Sequence, residues 1–113
     1  MHIKETAHDS VIVLELSGKI MGGPDASLLN DRLHLLIEKK HTRIVADLGK
    51  VDWMTSSGLG ILIGGLTTMR NNGGDLKLVN ITERIQNLLM ITKLLAVFET
   101  FDSIDEAVKS FPS

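Results

Sequence analysis

Val51-Asp52-Trp53-Met54-Thr55-Ser56-Ser57-Gly58-Leu59-Gly60 joins two different hydrophobic rhythms, and its reading decides the fold. Upstream, Arg43 to Leu48, centred on Ile44-Val45-Ala46, is short and apolar enough for a buried strand; a polar break at Gly49-Lys50 precedes a second extended piece from Val51 to Thr55. Downstream, Leu59, Leu62, Ile63, Leu66 and Met69 recur at helical spacing until Asn71-Asn72-Gly73-Gly74, a strong helix stop. Three consecutive hydroxyl side chains therefore stand where a strand hands over to a helix, the place where unpaired N–H groups need an acceptor.

The same alternation continues in both directions. Val11 to Leu16 is an apolar, β-branched run ended by Ser17-Gly18, and Ile3 to Thr6 is placed to pair with it across a turn at His8-Asp9-Ser10. Gly22-Gly23-Pro24-Asp25 is a turn followed by a helix start, with Pro24 preset for the first helical turn. Ala26, Leu29, Leu33, Leu36 and Ile37 then mark an amphipathic helix. Past the glycine pair, Leu76 to Val79 predicts a strand, Asn80-Ile81-Thr82-Glu83 opens a helix carrying Ile85, Leu88 and Leu89, Val97 to Glu99 predicts a last strand, and Ser103 to Ser110 a closing helix. Strands alternating with helices predict an α/β domain with a mixed, mostly parallel sheet of four to five strands and about four helices, its crossovers right-handed. No linker, repeat or low-complexity tract interrupts the chain, so residues 1–113 are expected to form a single domain.

Composition narrows the function. Twelve basic against fourteen acidic residues give a formal net charge of -2, and the signs are interspersed, so the concentrated positive field that nucleic acid requires is missing. With no cysteine there is no disulfide, thiolate metal site or cysteine nucleophile. No apolar run approaches the roughly 18 to 20 residues of a membrane span, so no direct membrane insertion is expected, and a cytoplasmic location is. His2, His8, His34 and His41 are scattered and show no i, i+4 ligand pair, so no metal is expected. No G-x-S-x-G elbow surrounds Ser56 or Ser57, which speaks against a serine hydrolase. Gly58, Gly60 and Gly64 follow G-x-G-x-x-x-G rather than the dinucleotide spacing, no acid ends the next strand at Asn80, and packing of helix on sheet is the expected use of these glycines. An enzyme and a bound cofactor are both disfavoured; Trp53 is expected under the second helix, and the methionines as core or interface filler.

The hydroxyl cluster supports two readings. In the plain one, Ser56 or Ser57 is an N-cap. In the functional one, a serine at a helix N-terminus carries a phosphate without unfolding the protein, because free N–H groups and the helix dipole stabilise the anion, while about 1.5 to 2 added negative charges spoil a docking surface.

Ser56-Ser57-Gly58-Leu59-Gly60, following Asp47-Leu48 and preceding Gly73-Gly74-Asp75-Leu76, resembles the STAS domain of anti-sigma factor antagonists (anti-anti-sigma factors). The resemblance runs from about Ile3 to Phe111 and includes Leu16-Ser17-Gly18-Lys19-Ile20 and Leu94-Leu95-Ala96-Val97-Phe98. It implies a bacterial regulator of transcription in which Ser56 is the phosphorylated serine, with Ser57 and Thr55 as weaker alternatives. It also implies that the partner is an anti-sigma factor with serine kinase activity, that phosphorylation releases the antagonist, and that a serine phosphatase resets the cycle. Met21, Gly22, Gly23, Met54, Thr55, Ser56, Ser57, Gly58 and Leu59 are the expected partner-binding residues. The chain departs from the family pattern at Thr55 and Met21, where well-known members carry Asp, so the electrostatics of the corner must differ. The alternative is an unphosphorylated STAS subunit that serves as a scaffold in a signalling or membrane-transport assembly.

Overall fold

A computed structural model describes residues 1–112. The elements in order are β1 (His2–His8), β2 (Val11–Ile20), α1 (Pro24–Glu38), β3 (Arg43–Met54), α2 (Ser56–Asn71), β4 (Asp75–Val79), α3 (Glu83–Ile91), β5 (Thr100–Phe101) and α4 (Ile104–Lys109). The five strands lie side by side in chain order; β1 and β2 form an antiparallel hairpin, and every later neighbour is parallel. Asp9 turns the hairpin in a left-handed conformation, φ 56°.

Strand order equal to chain order has a geometric consequence. Each right-handed crossover steps the same way across the sheet, so α1, α2 and α3 all land on one face. The burial pattern follows. Ile12, Leu14 and Leu16 of β2, Ile44, Ala46 and Leu48 of β3, and Leu76 and Leu78 of β4 pack with Leu29, Leu33, Leu62, Leu66, Met69, Ile85 and Leu89 from the three helices. The alternate residues Val11, Val13, Val45 and Val79 meet Ala107 and Phe111, supplied by α4 and the residues after it on the opposite face. Being covered on both sides, β2 and β3 read as continuous apolar runs rather than alternating ones. Each fully buried Leu or Ile contributes roughly 1.5–3 kcal/mol relative to leaving it in water.

The structure differs from the sequence expectation at three strand boundaries. β2 does not end at Ser17-Gly18 but continues to Ile20, because Gly18 takes φ 85° and absorbs an irregularity in the ladder. Gly49-Lys50 does not break β3. Glu15 pairs with Asp47 and Ser17 with Lys50, so β3 carries an extra residue there, and a second shift follows between Gly18–Val51 and Lys19–Trp53. Asp47 Oδ1 accepts the Gly49 amide at 3.0 Å and stabilises the first bulge. The last strand is Thr100–Phe101 rather than Val97–Glu99, because Phe98 is drawn into the core and Val97 closes a turn on the Leu94 carbonyl.

Candidate functional site

The ends of β2 and β3 lie side by side and launch α1 and α2 from one corner. Ile20 and Met54, the paired last residues, are both buried and plug the end of the core. After Ile20 the chain turns through Met21-Gly22-Gly23, with Gly22 at φ 120° and Gly23 at φ 60°, conformations that side-chain-bearing residues rarely adopt. Asp25, in the first turn of α1, accepts the Met21 amide at 3.2 Å and fixes that loop.

Thr55 is the knot of the corner. Its amide donates to the Ile20 carbonyl at 3.2 Å, and its hydroxyl donates to the Met21 carbonyl at 3.2 Å. The same hydroxyl accepts the Gly58 amide at 3.1 Å, making Thr55 the N-cap of α2. Neither Ser56 nor Ser57 caps the helix, contrary to the plain reading, because the residue one position earlier already holds the extended cap conformation, φ -99° and ψ 171°. Ser56 and Ser57 occupy the first two helical positions, both exposed, and neither hydroxyl is engaged in a hydrogen bond with any other described residue. Their backbone N–H groups lie among those a helix start leaves unpaired. No acidic residue stands in the first turn of α2, so the positive end of its dipole is uncompensated on its own helix.

Gly58 explains how the two chain segments come so close. A Cβ built on it would run into the Ile20 carbonyl, lying 2.7 Å from the carbonyl carbon. Gly60 and Gly64 do not share this role: an added Cβ at either meets nothing within 4 Å, which corrects the expectation that all three glycines serve helix-on-sheet packing. They instead line, with Ser57 and Thr68, a groove of about 570 Å³ between α1 and α2.

The expected partner-binding residues therefore separate by burial. Met21, half exposed at 50%, lies at the surface with Gly23, Ser56 and Ser57, while Gly22 and Thr55 are partly covered. Met54, Gly58 and Leu59, also expected on the docking face, are buried: Gly58 and Leu59 hold the corner from beneath, and Met54 reaches the surface only at the edge of a hollow beside α3. Trp53 corrects the opposite way. It is 40% exposed instead of lying under α2, because β3 runs on past the β4 pairing, which ends at Asp47–Val79, and leaves Trp53 without a strand on that side. Asp25 was not anticipated at all, although an acid directly after Gly-Gly-Pro at a helix start was the available signal.

Comparison with known proteins agrees with this geometry. The STAS domain family model matches residues 2–107. The anti-sigma-B factor antagonist of Bacillus subtilis is 32% identical over 108 residues, covering 96% of this chain and 90% of that protein. A crystal structure of an anti-sigma factor antagonist from Mycobacterium paratuberculosis superposes with a TM-score of 0.79 at 23% identity, over 96% of this chain and 92% of that one. The Bacillus cell fate determinant SpoIIAA in its phosphorylated form superposes with a TM-score of 0.71 at 16% identity, over 96% of this chain and 97% of the other. A match spanning nearly the whole chain, together with the hydroxyl corner at the start of α2, places this protein in the STAS domain family of anti-sigma factor antagonists, regulatory proteins rather than enzymes.

Proposed function

We propose that the chain is an anti-sigma factor antagonist that docks on an anti-sigma factor with serine kinase activity, and that phosphorylation of Ser56 ends the docking. The observation that carries this reading is the division of labour among three adjacent hydroxyls. Thr55 is committed to capping α2 and to holding Met21, so it can be modified only by giving up both bonds. Ser57 opens towards the groove between α1 and α2. Ser56 is exposed, unbonded and at the first position of a 16-residue helix, so a phosphate there finds free N–H groups while the cap beneath it stays intact.

The consequence for a partner is electrostatic. About 1.5 to 2 negative charges added at the start of α2 make the corner it shares with the Met21-Gly22-Gly23 turn strongly anionic. Thr55 and Met21 stand where well-known relatives carry Asp, so the unmodified corner is less acidic here and the contrast between the two states is larger. The absence, among described residues, of any helix long and apolar enough to cross a membrane is compatible with a regulator working in the cytoplasm, and a serine phosphatase completes the cycle.

Incubation with ATP and the kinase-type anti-sigma factor of the source genome, followed by mass mapping, tests this. One phosphate on Ser56, absent in Ser56→Ala, is the expected result. Phosphate on Thr55 or Ser57 instead, or none under conditions that modify a control antagonist, rejects it.

A further inference from the structure

Trp53 is the chain's single tryptophan, and the structure spends it on the surface. Two of the three phenylalanines, Phe98 and Phe111, are buried, and Phe101 is partly covered. The Arg84 guanidinium sits over the indole, its carbon 3.9 Å from the ring centroid. A guanidinium that packs on an aromatic face through its π-system keeps its N–H donors available to a carboxylate. Among the described residues no carboxylate takes them: the ion pairs involve Arg32, Lys50, Arg70, Lys77 and the Met1 ammonium, but not Arg84.

Arg84 is also the head of a stripe. Arg84, Leu88 and Ile91 follow i, i+4, i+7 on α3, one face of the helix, while Ile85 and Leu89 on another face already secure it to the core. Ile91 is 79% exposed, the most exposed large hydrophobic residue among those described, and the fold makes no use of it. Met54, Glu83, Arg84, Asn87, Leu88 and Ile91 line an open, shallow hollow of about 480 Å³. Met54 connects this hollow to the switch, since the next residues in the chain are Thr55 and Ser56.

We propose that Trp53, Arg84, Leu88 and Ile91 form a second anchor for the protein that engages the Ser56 corner, receiving from it a segment with an apolar side chain beside a carboxylate. The inference rests on the functional reading above and extends it to the partner's chemistry. A stable interface needs about 800 Å² from each side, with buried aromatic and arginine anchors at its centre. The corner itself supplies small residues and one methionine. The stacked Trp53–Arg84 pair supplies what the corner lacks, and the free cation selects an acidic group where Ile91 selects an apolar one.

The single tryptophan makes the test direct. The full chain labelled with 5-fluorotryptophan gives one fluorine resonance, from Trp53, which is titrated with the purified kinase-type anti-sigma factor while Kd is measured by calorimetry. The expected result is a shifted Trp53 resonance on binding, with Kd weakened at least tenfold by Arg84→Glu and by Ile91→Asp, and partly restored in Arg84→Lys. Both residues are exposed, and the lost stacking on Trp53 and an acid at the end of α3 each cost little, so the variants should melt within a few degrees of wild type. An unshifted resonance with wild-type Kd in both variants, while Ser56→Asp still blocks binding, overturns this surface and leaves the functional reading standing. No binding by wild type to any such factor brings both down. Concentration-dependent dimerisation abolished by Ile91→Asp, with no effect of that variant on the anti-sigma factor, also overturns the proposal in favour of a second copy of this chain.

Discussion

Replacing Gly58 by alanine should destabilise the protein even though alanine is the better helix former. In an open helical position the exchange gains about 0.8–1.0 kcal/mol. At position 58 the new methyl group would run into the Ile20 carbonyl, a backbone group held in place by its bond from the Thr55 amide and by the buried Ile20 side chain. Nothing there is a flexible side-chain end, so the end of β2 and the start of α2 must move apart. Overpacking of this kind costs about 1–3 kcal/mol, and loss of the Thr55–Ile20 bond about 1 more. Against the helical gain, a net loss of about 2 kcal/mol results, which for a domain of this size lowers Tm by about 10 °C. Gly60→Ala and Gly64→Ala, on the same helix with open space around them, should instead raise stability by up to about 1 kcal/mol each. Urea and thermal denaturation followed by circular dichroism compare all three variants under identical conditions. A Gly58→Ala protein as stable as Gly60→Ala would refute the close approach on which the corner is built.

Two further outcomes follow from the hydrogen bonding. Thr55→Ala removes the α2 cap and the tie to the Met21 carbonyl, and should cost about 1–2 kcal/mol in urea denaturation while Ser56 remains the modified residue by mass mapping. Lys77, only 5% exposed, holds Glu99 at 2.8 Å, Ser110 Oγ at 2.8 Å and the Phe111 ring at 4.3 Å, and so ties β4 to α4. Lys77→Ala should cost about 2–3 kcal/mol and speed amide exchange in α4, with exchange in α2 changed only through the global loss.

The helices were legible because their signals are local: Pro24 at a helix start, Thr82 before Glu83, and Asn71 to Gly74 at a helix end each sit where the structure uses them. The sheet was legible as mostly parallel because helical stretches separate its later strands. What escaped was set by contacts distant in sequence. Gly49-Lys50 looks like a break, and only the neighbouring strand turns it into a bulge. Thr55, Ser56 and Ser57 are equivalent candidates for a cap until the Ile20 and Met21 carbonyls select Thr55. Trp53 reads as core until its strand is seen to outrun β4, and the stacking of Arg84 upon it joins residues 31 positions apart for which no sequence spacing is a sign. Burial likewise divided the expected docking residues: composition marks Met54 and Leu59 as apolar, but not whether they face a partner or the core.

The most direct measurement compares two forms of the same chain, one with serine and one with genetically encoded phosphoserine at position 56, in calorimetric titration against the kinase-type anti-sigma factor. Equal melting temperatures within a few degrees and a Kd weakened at least a hundredfold, about 2.7 kcal/mol, in the phosphoserine form are expected. Equal Kd values for the two forms, or a phosphoserine form that no longer folds, would contradict a corner whose charge governs docking while its cap keeps the fold intact.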